Sequence, residues 1–297
     1  MMSRLLLLAI LLLNLCAHAD DSAIARQLES LGGKLVSKDN IVSQVTFTDC
    51  SKIAEAELQA IGRLSHLKSL TLFGKCHGLN DSTVGLLAGL QELESLSSEG
   101  VQLTDEGLKG LAALKALKSA SFFHLSFGMK GFTGVGFAHL KDIPQLEKLT
   151  VAGISMGDEG FAAIGTITQL KELRTWHTYQ TEAANASIAR LVNLKSLHIG
   201  QRLPRPGVKA PSLSDLSLPT FATMKALEKL ELGEAHFSVD ALKQMQSLPE
   251  LKKLVFFETD LSASEVDQLR ASMKGVTIDW KPLTEEQRKK FDMYLPK

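Results

Sequence analysis

A chain of 297 residues exceeds the usual size of a single packed core, so it either divides into domains or repeats a unit that packs only on its neighbours. Its 33 basic and 33 acidic residues cancel, which argues against a general nucleic-acid binder and against a protein held on an anionic membrane by charge.

The chain opens with Arg4, an apolar run from Leu5 to Leu15 and then Ala17-His18-Ala19, the order of a secretory signal peptide. Cleavage is expected after Ala19, which makes 1–19 the signal peptide and places the mature chain in the periplasm or outside the cell. The run is too short to span a bilayer, and no later segment offers about eighteen consecutive apolar residues, so membrane insertion is not expected. Leu15, where a small residue would be needed, argues against a lipid anchor on Cys16. Two cysteines, Cys50 and Cys76, then remain in an oxidising compartment. They stand 26 residues apart, about one repeat, and equivalent positions on stacked coils lie about 4.8 Å apart, within reach of a disulfide. A bridge is one expectation and two separate buried thiols the other.

Residues 20–38 read as an N-terminal cap. Ile24, Leu28 and Leu31 give a short amphipathic helix stopped by Gly32-Gly33, and Leu35-Val36-Ser37 and Ile41-Val42 flank the turn-like Lys38-Asp39-Asn40, so a small hairpin is expected to shield the first edge. From 39 to 280 one unit recurs, anchored on the first leucine of an LxxLxL motif at Val42, Leu67, Leu93, Leu117, Leu146, Leu170, Leu194, Leu227, Leu251 and, in degraded form, near Met273. These are about ten coils with a basal spacing near 24 residues, lengthened to 29 and 33 at two places and shortened to 22 at the last. The extra residues fall in Phe127–Gly136 and in the Gly/Pro-rich insertion Gly200–Leu216, where regular structure cannot continue.

Within the coils a second series appears, as in Leu58, Ile61, Leu64 and Val84, Leu87, Leu90 and Leu108, Leu111, Leu114. This predicts one strand and one convex helix per coil. Equivalent strands joined by crossovers form a parallel sheet, so the fold class is an α/β solenoid, a right-handed horseshoe or arc. Thr104-Asp105-Glu106-Gly107 and Met156-Gly157-Asp158-Glu159-Gly160 stand where helices begin; Thr104 suits an N-cap and the acids suit a helix dipole better than catalysis. Residues 281–297 read as a C-terminal capping helix opened by a Thr284/Gln287 capping box, with Phe291 and Tyr294 on one face to cover the last coil.

The units LKSLTLFGKCHGLNDSTVGLLAGL and LESLSSEGVQLTDEGLKGLAALKAL, with the LGGKLVSKDN lead-in and the signal peptide, resemble exported bacterial leucine-rich repeat proteins. The resemblance spans nearly the whole mature chain and implies a binding scaffold, with the ligand unspecified. Ser98, Ala120 and Thr175 depart from it where apolar ladder residues are expected, which predicts irregular or looser coils.

Strand alternation decides which side chains a partner meets. Counting the first leucine as position one, positions four and six enter the core, and three, five, seven and eight face the concave side. Position five reads Thr46, Thr71, Ser97, Ser121, Thr150, Arg174, His198, Glu231, Val255; position seven reads Thr48, Phe73, Glu99, Phe123, Ala152, Trp176, Gly200, Gly233, Phe257, followed by His124 and His177 at position eight. Phe73, Phe123, His124, Arg174, Trp176, His177 and His198 therefore form a candidate aromatic and cationic strip of the kind interfaces favour. The alternative is that these side chains fold over and plug the coils. Arg202, Arg205 and Lys209 make the insertion a second, basic candidate contact. His124, His177 and His198 raise a metal-dependent alternative, against which stands their separation along and across the strands. No phosphate loop, HExxH or GxSxG motif occurs. The expectation is a non-enzymatic scaffold with no cofactor and no metal, binding a protein or else a peptide or glycan, and not nucleic acid. A hydrolase or metal-dependent enzyme using the concave histidines, and a structural envelope protein without a cleft ligand, are the alternatives. Oligomeric state is open.

Overall fold

A computed structural model of the chain describes residues 21–126, 128–202 and 210–295. Residues 1–19, where a signal peptide is expected, Phe127, Arg205, Lys209 and the side chain of Tyr294 lie outside the described residues.

Eleven strands form one sheet in chain order: β1 (Lys34–Lys38), β2 (Ile41–Phe47), β3 (Ser69–Leu72), β4 (Ser95–Glu99), β5 (Ser119–Phe123), β6 (Lys148–Ala152), β7 (Glu172–Trp176), β8 (Ser196–Ile199), β9 (Lys229–Gly233), β10 (Lys253–Phe257) and β11 (Thr277–Trp280). Strands β2 to β11 run parallel, while β1 turns back on β2 through Asp39 and Asn40, both left-handed (φ 52° and 63°). That conformation matches a tight hairpin to the twist of its strands. The helix over residues 21–30 buries Ile24 and Leu28, and Gly32 ends it at φ 92°. The fold is an α/β leucine-rich repeat solenoid.

The core is one uninterrupted stack from Ile24 to Ile278. Leucines at positions one, four and six of each coil lie against their counterparts in the next, each burial contributing about 1.5–3 kcal/mol before the entropy of ordering is subtracted. Register bears out the position-five row: Thr46, Thr71, Ser97, Ser121, Thr150, Arg174, His198, Glu231 and Val255 are laterally paired without slippage.

Several expectations are corrected. β11 pairs Thr277 with Lys253 and Ile278 with Leu254, so the last coil starts at Gly275, and not at Met273; this restores the 24-residue spacing from Leu251. The helical elements of three coils are 3-10 helices, Val84–Gly89, Gly107–Ala113 and Val135–Asp142, and in a fourth the α-helix Val239–Leu242 continues as the 3-10 helix Lys243–Ser247. A stripe spaced by three residues is the period of a 3-10 helix, in which i and i+3 eclipse. The coils at Ser98, Ala120 and Thr175 are regular: all three residues are buried inside unbroken strands. Ser98 lies beside Phe122 in the ladder, large against small. Ser98 Oγ and Thr175 Oγ1 are buried without a hydrogen-bond partner, an unsatisfied cost the fold carries.

The acids at the helix starts bind coil to coil. Asp105 accepts hydrogen bonds from the Thr133 amide and hydroxyl, both at 2.9 Å, and from the amides of Gly134 (2.9 Å) and Gly136 (3.0 Å). Asp81 takes the Thr104 amide and hydroxyl in the same way, Asp158 those of Thr181, and Asp215 the Ser238 amide. Thr104 also accepts from the Gly107 amide at 3.2 Å. Each carboxylate thus satisfies amides at the start of the following coil's helix that have no partner within that helix.

Cys50 and Cys76 are free, buried thiols, in place of a bridge. The Cys50 amide donates to Gly74 on the next coil at 3.0 Å, which seats the two side by side; the Cys76 contact and burial push the Cys50 thiol up. The C-terminal helix Glu285–Tyr294 opens with the Thr284/Gln287 capping box. Its Phe291 is buried edge-on to His236, ring centroids 4.8 Å apart, so this residue packs against the ninth strand's exit loop.

Candidate functional site

The two edges of the sheet differ. On the entry edge, position-two residues of both signs neutralise one another: Lys118 with Glu94 (2.9 Å), Lys171 with Glu147 (2.5 Å), and Lys195 and Lys252 both with Glu228 (2.9 and 2.7 Å). Two lysines hold the Glu228 carboxyl down to about 2.

The exit side carries the aromatic residues. Phe73 meets Phe123 at 5.8 Å between ring centroids, Phe123 meets Trp176 at 6.3 Å, Trp176 meets His198 at 5.1 Å, and His198 stacks on Phe257 at 4.4 Å. The first three contacts are edge-on, at 80°, 61° and 68°, and the last is nearly coplanar at 11°. Sequence explains how rings on non-adjacent strands touch. Position seven places Ala152 between Phe123 and Trp176, and Gly200 and Gly233 between Trp176 and Phe257, so there the rings close over small residues; between Phe73 and Phe123 the row holds Glu99. At Gly233 a Cβ would stand 2.2 Å from the Phe257 ring, showing that the ring occupies the space above this glycine.

Arg174 lies over the Trp176 ring, 5.8 Å from its centroid, a cation–π arrangement. Its nearest acid is Glu231, at 3.9 Å. That carboxylate is held by Lys229 at 2.7 Å and faces His198 Nδ1 at 3.5 Å. His198 first, then Lys229, draw the Glu231 carboxyl down to about 2 against the opposing effect of burial.

Position eight is where each strand leaves the sheet, and its backbone is left-handed in seven coils. Gly74, Gly100 and Gly153 take φ of 78°, 70° and 65°, but His124, His177, Glu234 and Glu258 adopt 50°, 55°, 54° and 48°. A side chain in that region costs on the order of 1 kcal/mol where glycine costs nothing. All four are bound to partners outside their own coil: His124 Nδ1 to Glu99 (3.2 Å), His177 Nε2 to Glu234 (2.7 Å), and Glu258 to the Gln287 side-chain amide of the C-terminal helix (3.2 Å). Glu234 also accepts from the Gln201 amide at 3.1 Å. The hydrogen bond to Glu234 raises the His177 pKa against its burial, with the charges of Glu234 and Glu258 adding.

The structure therefore joins Phe73, Phe123, Arg174, Trp176 and His198 into one run. His124 and His177 stand on its rim, each engaged by its own carboxylate. The aromatic residues are half-buried and His124 is exposed, but His198 is 9% exposed, enclosed between Trp176 and Phe257. Phe257 and the acids Glu99, Glu231, Glu234 and Glu258 complete the surface. Phe257, Glu99 and Glu231 stand in the rows read from the sequence; Glu234 and Glu258 emerge only if position eight is read as a row of its own.

Arg202 is corrected as a loop contact. It is 8% exposed, and its Nε and Nη2 donate to the Ala210 carbonyl at 3.1 and 2.6 Å. Gln201 donates to the carbonyls of Leu213 (3.2 Å) and Glu234 (3.3 Å), and Ser212 donates to Gln201 through its hydroxyl at 2.7 Å. These bonds clasp the root of the 200–216 insertion to the solenoid. Among the described residues no three His, Cys, Asp or Glu side chains are grouped to hold a metal ion, and no helix is long and apolar enough to cross a membrane.

No family model and no curated protein matches the chain. Among solved structures it is similar to an internalin C2 from Listeria monocytogenes, with 13% identity, 83% of this chain and 84% of that one covered, and a TM-score of 0.46. It is also similar to the internalin inlF from the same organism, with 15% identity, 92% of each chain covered and a TM-score of 0.43.

Proposed function

We propose that this chain is a non-enzymatic binding scaffold that takes a protein partner on the concave face, along the run from Phe73 to Phe257. The observation that carries this reading is the aromatic run itself. Its rings are half-exposed on the face opposite a complete apolar core, held by each other and by glycine or alanine gaps, where small polar residues would have cost the fold nothing. Aromatic and arginine side chains set out in this way are what interface hot spots consist of. Histidine and glutamate held at left-handed positions that sister coils fill with glycine support it, because such strain persists where a side chain has a use.

Export to the periplasm or beyond the cell is part of the same proposal and rests on residues 1–19. Arg205 and Lys209 extend the proposed contact onto the insertion.

The test is capture from envelope extract by the chain and by a Phe123→Ala, Trp176→Ala, His198→Ala variant whose melting and circular dichroism confirm its fold. A partner recovered by the parent and lost by the variant supports the reading. Equal recovery by both overturns it.

A further inference from the structure

The concave face changes character along its length. Over β3 to β6 the position-five side chains Thr71, Ser97, Ser121 and Thr150 are uncharged, laterally paired one strand apart and half-buried. No protein group bonds their hydroxyls among the described residues. Beside them run Phe73, Phe123 and Trp176. This uncharged position-five row ends at Arg174, whose side chain is 38% exposed and whose only ion-pair contact among the described residues is the 3.9 Å approach to Glu231. Lys229, at 2.7 Å, already compensates Glu231, so the Arg174 charge is left largely uncompensated. Stacking on Trp176 fixes its direction.

We propose that this half of the face binds an extended peptide segment of the partner, apolar at two alternate positions and acidic two residues further on, with Arg174 taking the carboxylate. This rests on the protein-binding reading and names the chemistry of its partner. Three observations carry it. In an extended chain, residues two apart point the same way about 6.6–6.8 Å apart, close to the 5.8 and 6.3 Å that separate Phe73, Phe123 and Trp176. The free hydroxyls can pair with the peptide's backbone groups, which an extended segment leaves unsatisfied. The guanidinium fork suits a carboxylate and, held on an aromatic face, loses little freedom on binding. Ring geometry speaks against a glycan, since a sugar chain needs successive open faces. Neighbouring rings here tilt by 80°, 61° and 68°, and the one coplanar pair, His198 and Phe257, is stacked on itself.

The experiment probes an array of immobilised random heptapeptides, with a glycan array beside it, using the purified full chain and its Arg174→Gln and Arg174→Lys variants. Expected is enrichment of apolar-x-apolar-x-acidic peptides, in either chain direction. For the best of them, replacing the acidic residue by its amide weakens binding to the parent about tenfold, a charge-assisted bond lost. The same replacement changes binding to Arg174→Gln by less than about twofold if the two groups are partners, and Arg174→Lys keeps part of the preference. Enrichment without an acid, an acid preference that persists in Arg174→Gln, or binding on the glycan array alone overturns the inference. If no peptide is enriched while a captured protein is still lost by the Phe123/Trp176/His198 variant, the peptide inference falls and the protein-binding reading stands. If that protein is retained as well, both fall.

Discussion

Replacing Gly233 by alanine adds one methyl group where the Phe257 ring now lies. The new Cβ would meet three ring carbons at 2.2–2.3 Å, whereas ordinary contact needs about 3.5 Å or more, so the ring must withdraw by more than about 1 Å. It cannot do so and stay stacked on His198 at 4.4 Å. Loss of that stack costs about 0.5–1.5 kcal/mol, and displaced packing adds about 1 kcal/mol. Gly233 lies in strand β9 without a left-handed backbone, so alanine also restricts the unfolded chain and returns about 0.4–1 kcal/mol. The net destabilisation is therefore about 1 kcal/mol. Urea unfolding followed by tryptophan fluorescence measures it, and the decisive comparison is the same substitution in a Phe257→Ala background. There it should be neutral or mildly stabilising, giving a coupling of about 1–2 kcal/mol. Equal costs in both backgrounds would refute the account of glycine as the gap the ring closes over.

Thr175→Val removes a buried hydroxyl that has no partner at little change of volume, and should raise the urea midpoint by an amount equivalent to about 1 kcal/mol with the slope unchanged. Asp105→Ala deletes the acceptor of four hydrogen bonds between coils and should cost about 3 kcal/mol by the same assay; a loss below about 1 kcal/mol would mean that water replaces the carboxylate freely. The Glu231 carboxyl is depressed to about 2, so its contribution is present above its ordinary value of about 4.3 and is lost as pH falls toward 2. Acid unfolding of Glu231→Gln should accordingly show a smaller loss of stability over that window than the parent. His177 is raised, so the stability it contributes is present below about 6.5 and disappears as pH rises through the folded value; an NMR titration should find it moved back toward the ordinary histidine range in Glu234→Gln.

The repeat was legible because each coil must bury leucines at fixed intervals, and the same periodicity dictates which residues face away from the core. Hence the position-five row could be read correctly by counting alone, through two insertions that shift the spacing. The hairpin at Asp39-Asn40 was legible from turn chemistry. The three-residue stripe held the sign of a 3-10 helix, but an apolar stripe at that spacing also fits one face of an α-helix, and only the length of chain left between stacked strands decides.

The rest belongs to tertiary structure, because it joins residues 8 to 57 positions apart that no local pattern pairs. Counting placed His177 in the concave strip at position eight; folding set it on the rim with Glu234 against it. Arg202 was one of three basic loop residues until the chain closed on the Ala210 carbonyl. Ser98 and Thr175 looked like breaks in the ladder, yet the neighbouring coils impose their register on them. Local sequence thus determined the period, the sheet and the residues that face away from the core. Which rings touch and which charges are paired internally depend on distances between coils, and those exist only once the coils have stacked.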